Sequence, residues 1–187
     1  MDDIEQRLMA FHCPRWEELP DVELYADQAV NYIERHLSVL DVEGEGHLIT
    51  SSMINNYVKM KLIPAPVRKK YDMNQLARLI VICSLKRDFS ISELSTMTDM
   101  VMKKLGAAGA YNLFCDEMEL NIRHAFSGEV MEPVEPRIEN LIIRAVMTAF
   151  ANKLLAHWAI RACASDEGQT AETGEKPEEI LSENSKI

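Results

Sequence analysis

Several things are scarce in this chain of 187 residues, and each scarcity removes a class of function. No apolar run approaches the roughly 18 uninterrupted residues that a membrane span needs. The most hydrophobic stretch, 137–164, is broken by Arg137, Glu139, Arg144, Asn152, Lys153, His157 and Arg161. Asp2, Asp3, Glu5 and Arg7 interrupt the opening residues, so no charged-apolar-small signal pattern forms there, and the expected location is the cytoplasm. The four cysteines, Cys13, Cys83, Cys115 and Cys163, are far apart and show no Cys-x-x-Cys or Cys/His spacing. Reduced and mostly buried thiols are therefore expected, with no metal site; His12 beside Cys13 lacks the further donors a metal requires. A Gly-rich phosphate loop and a nucleophile elbow are missing too, so neither an enzyme nor a cofactor is expected. Aromatic residues make up only 6% of the chain. Glycines and prolines cluster between apolar periodic segments, which predicts an all-α, multi-helix fold.

The segments come in order. A short helix is expected within 1–13, closed by Pro14, and a Pro-bounded connector follows in which Trp16 and Leu19 clip onto the core. Residues 21–40 read as a long amphipathic helix with Leu24, Tyr25, Ala29, Tyr32, Ile33, Leu37 and Leu40 near one face. An acidic loop with Gly44 and Gly46 leads to a short helix over 52–60, with Thr50 or Ser51 as its N-cap. Its buried stripe is Ile54, Tyr57 and Val58. Asp72 with Gln75, and Ser90 with Glu93, have the spacing of reciprocal capping boxes. The first opens a helix too apolar to be exposed; the second opens a helix running to Leu105, where Gly106 reads as a stop. A helix over 110–126 follows, then a boundary at Ser127–Gly128, Pro133 and Pro136. The helix over 137–164 is apolar on nearly all sides, and we expect it to meet a second copy in a homodimer. The last stretch, 165–187, is acidic and nearly free of apolar residues, and is expected to be a disordered tail. The organisation is thus 1–15, 16–127, 128–164 and 165–187.

Charge is unevenly spread. Between Ser51 and Asp88 stand Lys59, Lys61, Arg68, Lys69, Lys70, Arg78, Lys86 and Arg87 against Asp72 and Asp88, a net +6 in a chain whose total is −10. A basic island in an acidic protein suits contact with a phosphate backbone; a merely solvated basic face is the other reading.

The residues of this island carry a resemblance. Ile49 to Pro64 resembles the stretch of MerR-type regulators that reads Thr-(Ile/Leu)-Arg-Tyr-Tyr-Glu and ends Gly-Leu-Leu-Pro. Arg68 to Leu76 is similar to that family's wing and following helix start, and Phe89 to Leu94 to its Phe-Ser-Leu-x-Glu-Ile signature. Asn55 and Asn56 stand where the pattern has Arg-Tyr, Lys61 where it has Gly, and the wing is short with no Gly to turn it. The longer stretch from Trp16 to about Phe126 also resembles an uncharacterised bacterial domain family of unknown function. The MerR resemblance implies a winged helix-turn-helix that binds double-stranded DNA as a dimer and regulates transcription.

On that expectation DNA is contacted through the 50–61 helix and the 67–71 loop. Asn55 and Asn56 are offered to base edges, since Asn can pair bidentately with adenine. Ser51, Ser52, Lys59, Lys61, Arg68, Lys69 and Lys70 face phosphates, and Tyr71 either donates its hydroxyl to a phosphate or packs beneath the wing. Adjacent Asn residues also simply solvate helix faces. The alternative function keeps the fold as a non-catalytic protein-interaction module whose basic island docks an acidic partner.

Overall fold

The computed structural model describes residues 3–42, 44 and 46–173, with side chains described as far as residue 164. It is mainly helical, as the periodicity predicts. The helices are α1 (Asp3–Met9), α2 (Ala26–Leu37), α3 (Ser51–Lys59), α4 (Met73–Leu85), α5 (Ile91–Ser127) and α6 (Ile138–Thr173), with 3-10 turns at Trp16–Glu18 and Ser38–Leu40. Two residue pairs, β1 (Leu24–Tyr25) and β2 (Lys70–Tyr71), form a small antiparallel ladder. Leu24 and Tyr25 are therefore strand, not the first turn of α2. Gln28 marks the change by accepting the Tyr25 amide through Oε1 (2.9 Å) at the opening of the helix.

The capping signals hold. Thr50 accepts the Met53 amide (3.2 Å) and starts α3. Asp72 and Gln75 exchange bonds of 2.7 and 2.9 Å at the start of α4, and Ser90 and Glu93 exchange bonds of 2.8 and 3.3 Å at the start of α5. Every residue of α4 from Gln75 to Leu85 except Arg78 is buried, which makes it the central helix. Around it the inward residues of the other helices form one apolar cluster, including Leu8 of α1, Ile33 and Leu37 of α2, Ile54 of α3, Phe114 and Met118 of α5, and Met147 of α6.

Three elements depart from expectation. Gly106 interrupts α5 with φ 72° and ψ 174°, a backbone glycine adopts without steric cost. The helix resumes at once instead of stopping at Gly106, and Leu105 is exposed. The α6 helix runs past Ala164 to Thr173, where a disordered tail was expected. Gln169, Ala171 and Glu172 favour a helix, and Pro177 is the first residue that forbids one. The rest of the expected tail, 174–187, lies outside the described residues. Finally, the stripe Ile143, Met147, Phe150, Ala151 and Leu154 of α6 is buried within its own chain. Among its described side chains, the large apolar ones that α6 leaves exposed are Ile138, Leu141 and Ile160. No helix among the described residues is long and apolar enough to cross a membrane.

Candidate functional site

The surface singled out by the sequence is built on α2 and α4. Ile54 and Tyr57 of α3 are buried, and burial pushes the Tyr57 hydroxyl up to about 12. From α2, the Glu34 carboxylate accepts the Ile49 amide (3.0 Å) just ahead of the helix. With that face inward, Ser51, Ser52, Asn55, Asn56 and Lys59 are all exposed. The α2-to-α3 connection is not the tight turn of a helix-turn-helix. Residues 38–50 separate the two helices, and Val42, Leu48 and Ile49 of this connection are buried in the core.

The end of α3 is closed by two crossing bonds, from the Leu62 amide to the Tyr57 carbonyl (3.0 Å) and from the Lys61 amide to the Val58 carbonyl (3.0 Å). This is the Schellman pattern, and it puts Lys61 at φ 59°. The left-handed cap forms although Lys stands where the resembling pattern has Gly. Ile63 is then buried, and the Gln75 side chain donates through Nε2 to the Pro64 carbonyl (2.9 Å), tying the outgoing chain to the start of α4.

Next comes a two-residue hairpin. Val67 and Lys70 exchange backbone bonds of 3.1 and 2.9 Å across Arg68 and Lys69, which sit at φ 51° and 64°. Positive φ at both central residues is the type I′ signature, which normally recruits Asn-Gly or Gly-Gly. The basic loop is therefore a closed hairpin without glycine. Lys70 continues into β2 opposite Tyr25, its Nζ 5.4 Å from the centre of that ring. Tyr71 is only 3% exposed and packs beneath the hairpin, so it belongs to the support and not to the outer face.

The eight cations of the island do not act together. Arg87 pairs with Asp41 (2.9 Å), Arg78 lies 3.7 Å from Asp99, and half-buried Lys86 donates to the Leu48 carbonyl. Burial lowers the Lys86 ammonium below the usual lysine range. These three hold α4 to its neighbours. Lys59, Lys61, Arg68 and Lys69 are exposed, and among the described residues none of their side chains is in an ion pair or hydrogen bond. Sequence reasoning missed Met60 and Val67, which stand exposed among these cations (56% and 65%). The only signal for Val67 was its place immediately before the Arg68–Lys69 turn.

A second cluster, also missed, lies between the N-terminal segment and α5. The Glu119 carboxylate accepts the Cys13 amide (2.9 Å) and pairs with Arg15 (2.5 Å) and His12 (3.1 Å). Burial pushes the Glu119 carboxyl up, but Arg15, the Cys13 amide and His12 together outweigh it and hold it below the usual range. Nothing in the sequence relates positions so far apart.

No curated protein and no solved structure matches the chain. A family match covers residues 14–114, the stretch that contains α2, α3, the hairpin, α4 and most of α5. The chain belongs to the family described as Domain of unknown function (DUF1836).

Proposed function

We propose that the chain is a cytoplasmic, non-catalytic regulator of transcription that binds duplex DNA. On this reading α3 lies in the major groove with Asn55 and Asn56 toward base edges, and Lys59, Lys61, Arg68 and Lys69 neutralise flanking phosphates. The resemblance to MerR-type regulators supports it, as does the outward orientation of Ser51, Ser52, Asn55, Asn56 and Lys59. One observation carries it. Among the described residues, the non-glycine residues at positive φ are Lys61, Arg68 and Lys69. Each tolerates a backbone that costs a side chain about 1–2 kcal/mol, and each presents an unpaired cation, Lys61 at the end of α3 and Arg68 and Lys69 on the hairpin that follows it. Strain of this kind is held in place by the surrounding structure, and it clusters at ligand sites. A homodimer built on the described part of α6 would use Ile138, Leu141 and Ile160, because the stripe from Ile143 to Leu154 is covered by its own chain.

The test is binding of random-sequence duplex DNA over a salt series. Four phosphate contacts give a slope of log affinity against log salt of about −3 to −4. Asn55→Ala with Asn56→Ala should leave that slope unchanged and blunt selection of sequences from a random pool. No binding at the lowest salt would overturn the reading. It would favour the second one, a protein-interaction module, for which exposed Met60 and Val67 among the cations make a surface suited to an acidic, amphipathic partner.

A further inference from the structure

Cys13 and Cys115 are buried free thiols whose sulfurs lie 3.2 Å apart, although they belong to different parts of the chain. Cys115 is on α5, while Cys13 is on the irregular segment between α1 and the Trp16 turn. That segment is pinned on both sides of the thiol. The Cys13 amide donates to Glu119 (2.9 Å), the Arg15 guanidinium donates to the Cys13 carbonyl (2.6 Å), and the Trp16 amide donates to Asn112 Oδ1 (2.8 Å). All the anchors other than Arg15 itself are on α5, so the two sulfurs are held in register by bonds that do not involve them. Closing the gap to the roughly 2.05 Å of a disulfide needs about 1 Å of side-chain movement. One turn before Cys115, the buried hydroxyl of Tyr111 lies against the two thiols. No group of three or more His, Cys, Asp and Glu side chains among the described residues is arranged to hold a metal ion.

We propose that Cys13 and Cys115 form a dithiol modification site that hydrogen peroxide converts to a disulfide. One thiolate attacks a peroxide oxygen, the O–O bond breaks, and a sulfenic acid and one water result. The second thiol then attacks the sulfenic sulfur, the S–S bond forms, and a second water leaves. Two thiols lose two electrons in all, and the peroxide takes them. Both sulfurs are buried, and the contact with Cys115 together with burial pushes the Cys13 thiol up, so the first step waits on transient detachment of the 11–16 segment from α5, and closure then fastens that segment covalently. Neither thiol belongs to the surface of α3 and the hairpin, and the site stands whether or not the chain binds DNA.

The test uses the full chain with Cys163→Ser, which removes the exposed thiol and with it disulfides between molecules. The protein is treated with hydrogen peroxide while folded, quenched with N-ethylmaleimide, unfolded, and mapped by peptide mass spectrometry. We expect a Cys13–Cys115 linked peptide and an alkylated Cys83, whose sulfur has no second cysteine sulfur against it among the described residues. Oxidation should raise the melting temperature by roughly 10 °C, since the bond closes a loop of about 100 residues, and a dithiol reductant should reverse it. Cys115→Ser should abolish both the link and the shift, while the parent protein carries the test if that variant folds poorly. Sulfinic acid at either position without a link, or a link with no gain in melting temperature, would overturn the proposal.

Discussion

The hairpin at Arg68–Lys69 gives an experiment in which stability and binding should move in opposite directions. Replacing Arg68→Asn and Lys69→Gly installs the pair that a type I′ turn prefers while keeping the bonds between Val67 and Lys70. A side chain held in the left-handed region costs about 1–2 kcal/mol per residue. Asn carries less of that cost and Gly none, but Gly gives back about 0.4–1 kcal/mol by loosening the unfolded chain. The net gain is about 1 kcal/mol, or roughly 2–4 °C in melting temperature for a chain of this size. The same change removes two cations with no partner among the described residues, so little native electrostatics is lost to offset the gain. Duplex binding should then lose about 2 from the magnitude of its salt slope, at about 0.9 per phosphate contact. Urea unfolding and fluorescence anisotropy on one preparation read both quantities. A less stable variant would refute the strain argument. A more stable one with an unchanged slope would show that these cations do not touch phosphate.

Four further variants test the scaffold. Gln75→Leu removes both the bond to the Pro64 carbonyl and the reciprocal cap on Asp72, and urea unfolding should show a loss of about 1–2 kcal/mol. On α6, Phe150→Ala should cost about 3–5 kcal/mol because that ring is buried in its own chain. Leu141→Asp should change stability by no more than about 0.5 kcal/mol, yet lower the sedimentation coefficient if α6 also joins two copies. For Glu119, the folded carboxyl titrates below its unfolded value. Its stabilisation is therefore complete above about pH 4.3, the unfolded pKa, and disappears as pH falls through the folded pKa. Glu119→Gln should flatten the acid limb of the stability curve in that window, as followed by urea midpoints from pH 6 downward.

What was legible in the sequence was what is local. A cap needs a hydroxyl or carboxylate and a partner three residues on, and Thr50, Asp72 with Gln75, and Ser90 with Glu93 each state that condition within one helical turn. The outward face of α3 follows from Ile54 and Tyr57 turning inward, so the exposure of Asn55 and Asn56 was legible too. Charge was legible only as a total. Arg87 is taken up by Asp41, Lys86 by a backbone carbonyl and Arg78 by Asp99, and no spacing rule foretells which cation a distant acceptor will engage. Cys13 and Cys115 were invisible as a pair for the same reason. The stretch 165–173 was misread because acidic composition was weighed above helix propensity, although no proline interrupts it.

Lys61, Arg68 and Lys69 show how tertiary anchoring overrides a local rule. Lacking Gly, the stretch from Lys61 to Tyr71 argues against both a left-handed cap and a tight hairpin. Both form because the segment is fixed from outside: Ile63 is buried, Pro64 is bonded to Gln75, and β2 is paired with β1. With these points fixed, the chain must turn at Lys61 and again at Arg68–Lys69, whatever side chains stand there. Glycine would turn more cheaply, yet a cation occupies each position. Packing cannot account for this, because all three side chains project into solvent without partners. If solubility alone were served, the same charges could sit at unstrained positions of α3. The proposed polyanionic ligand would supply a reason for positive charge at these particular turns.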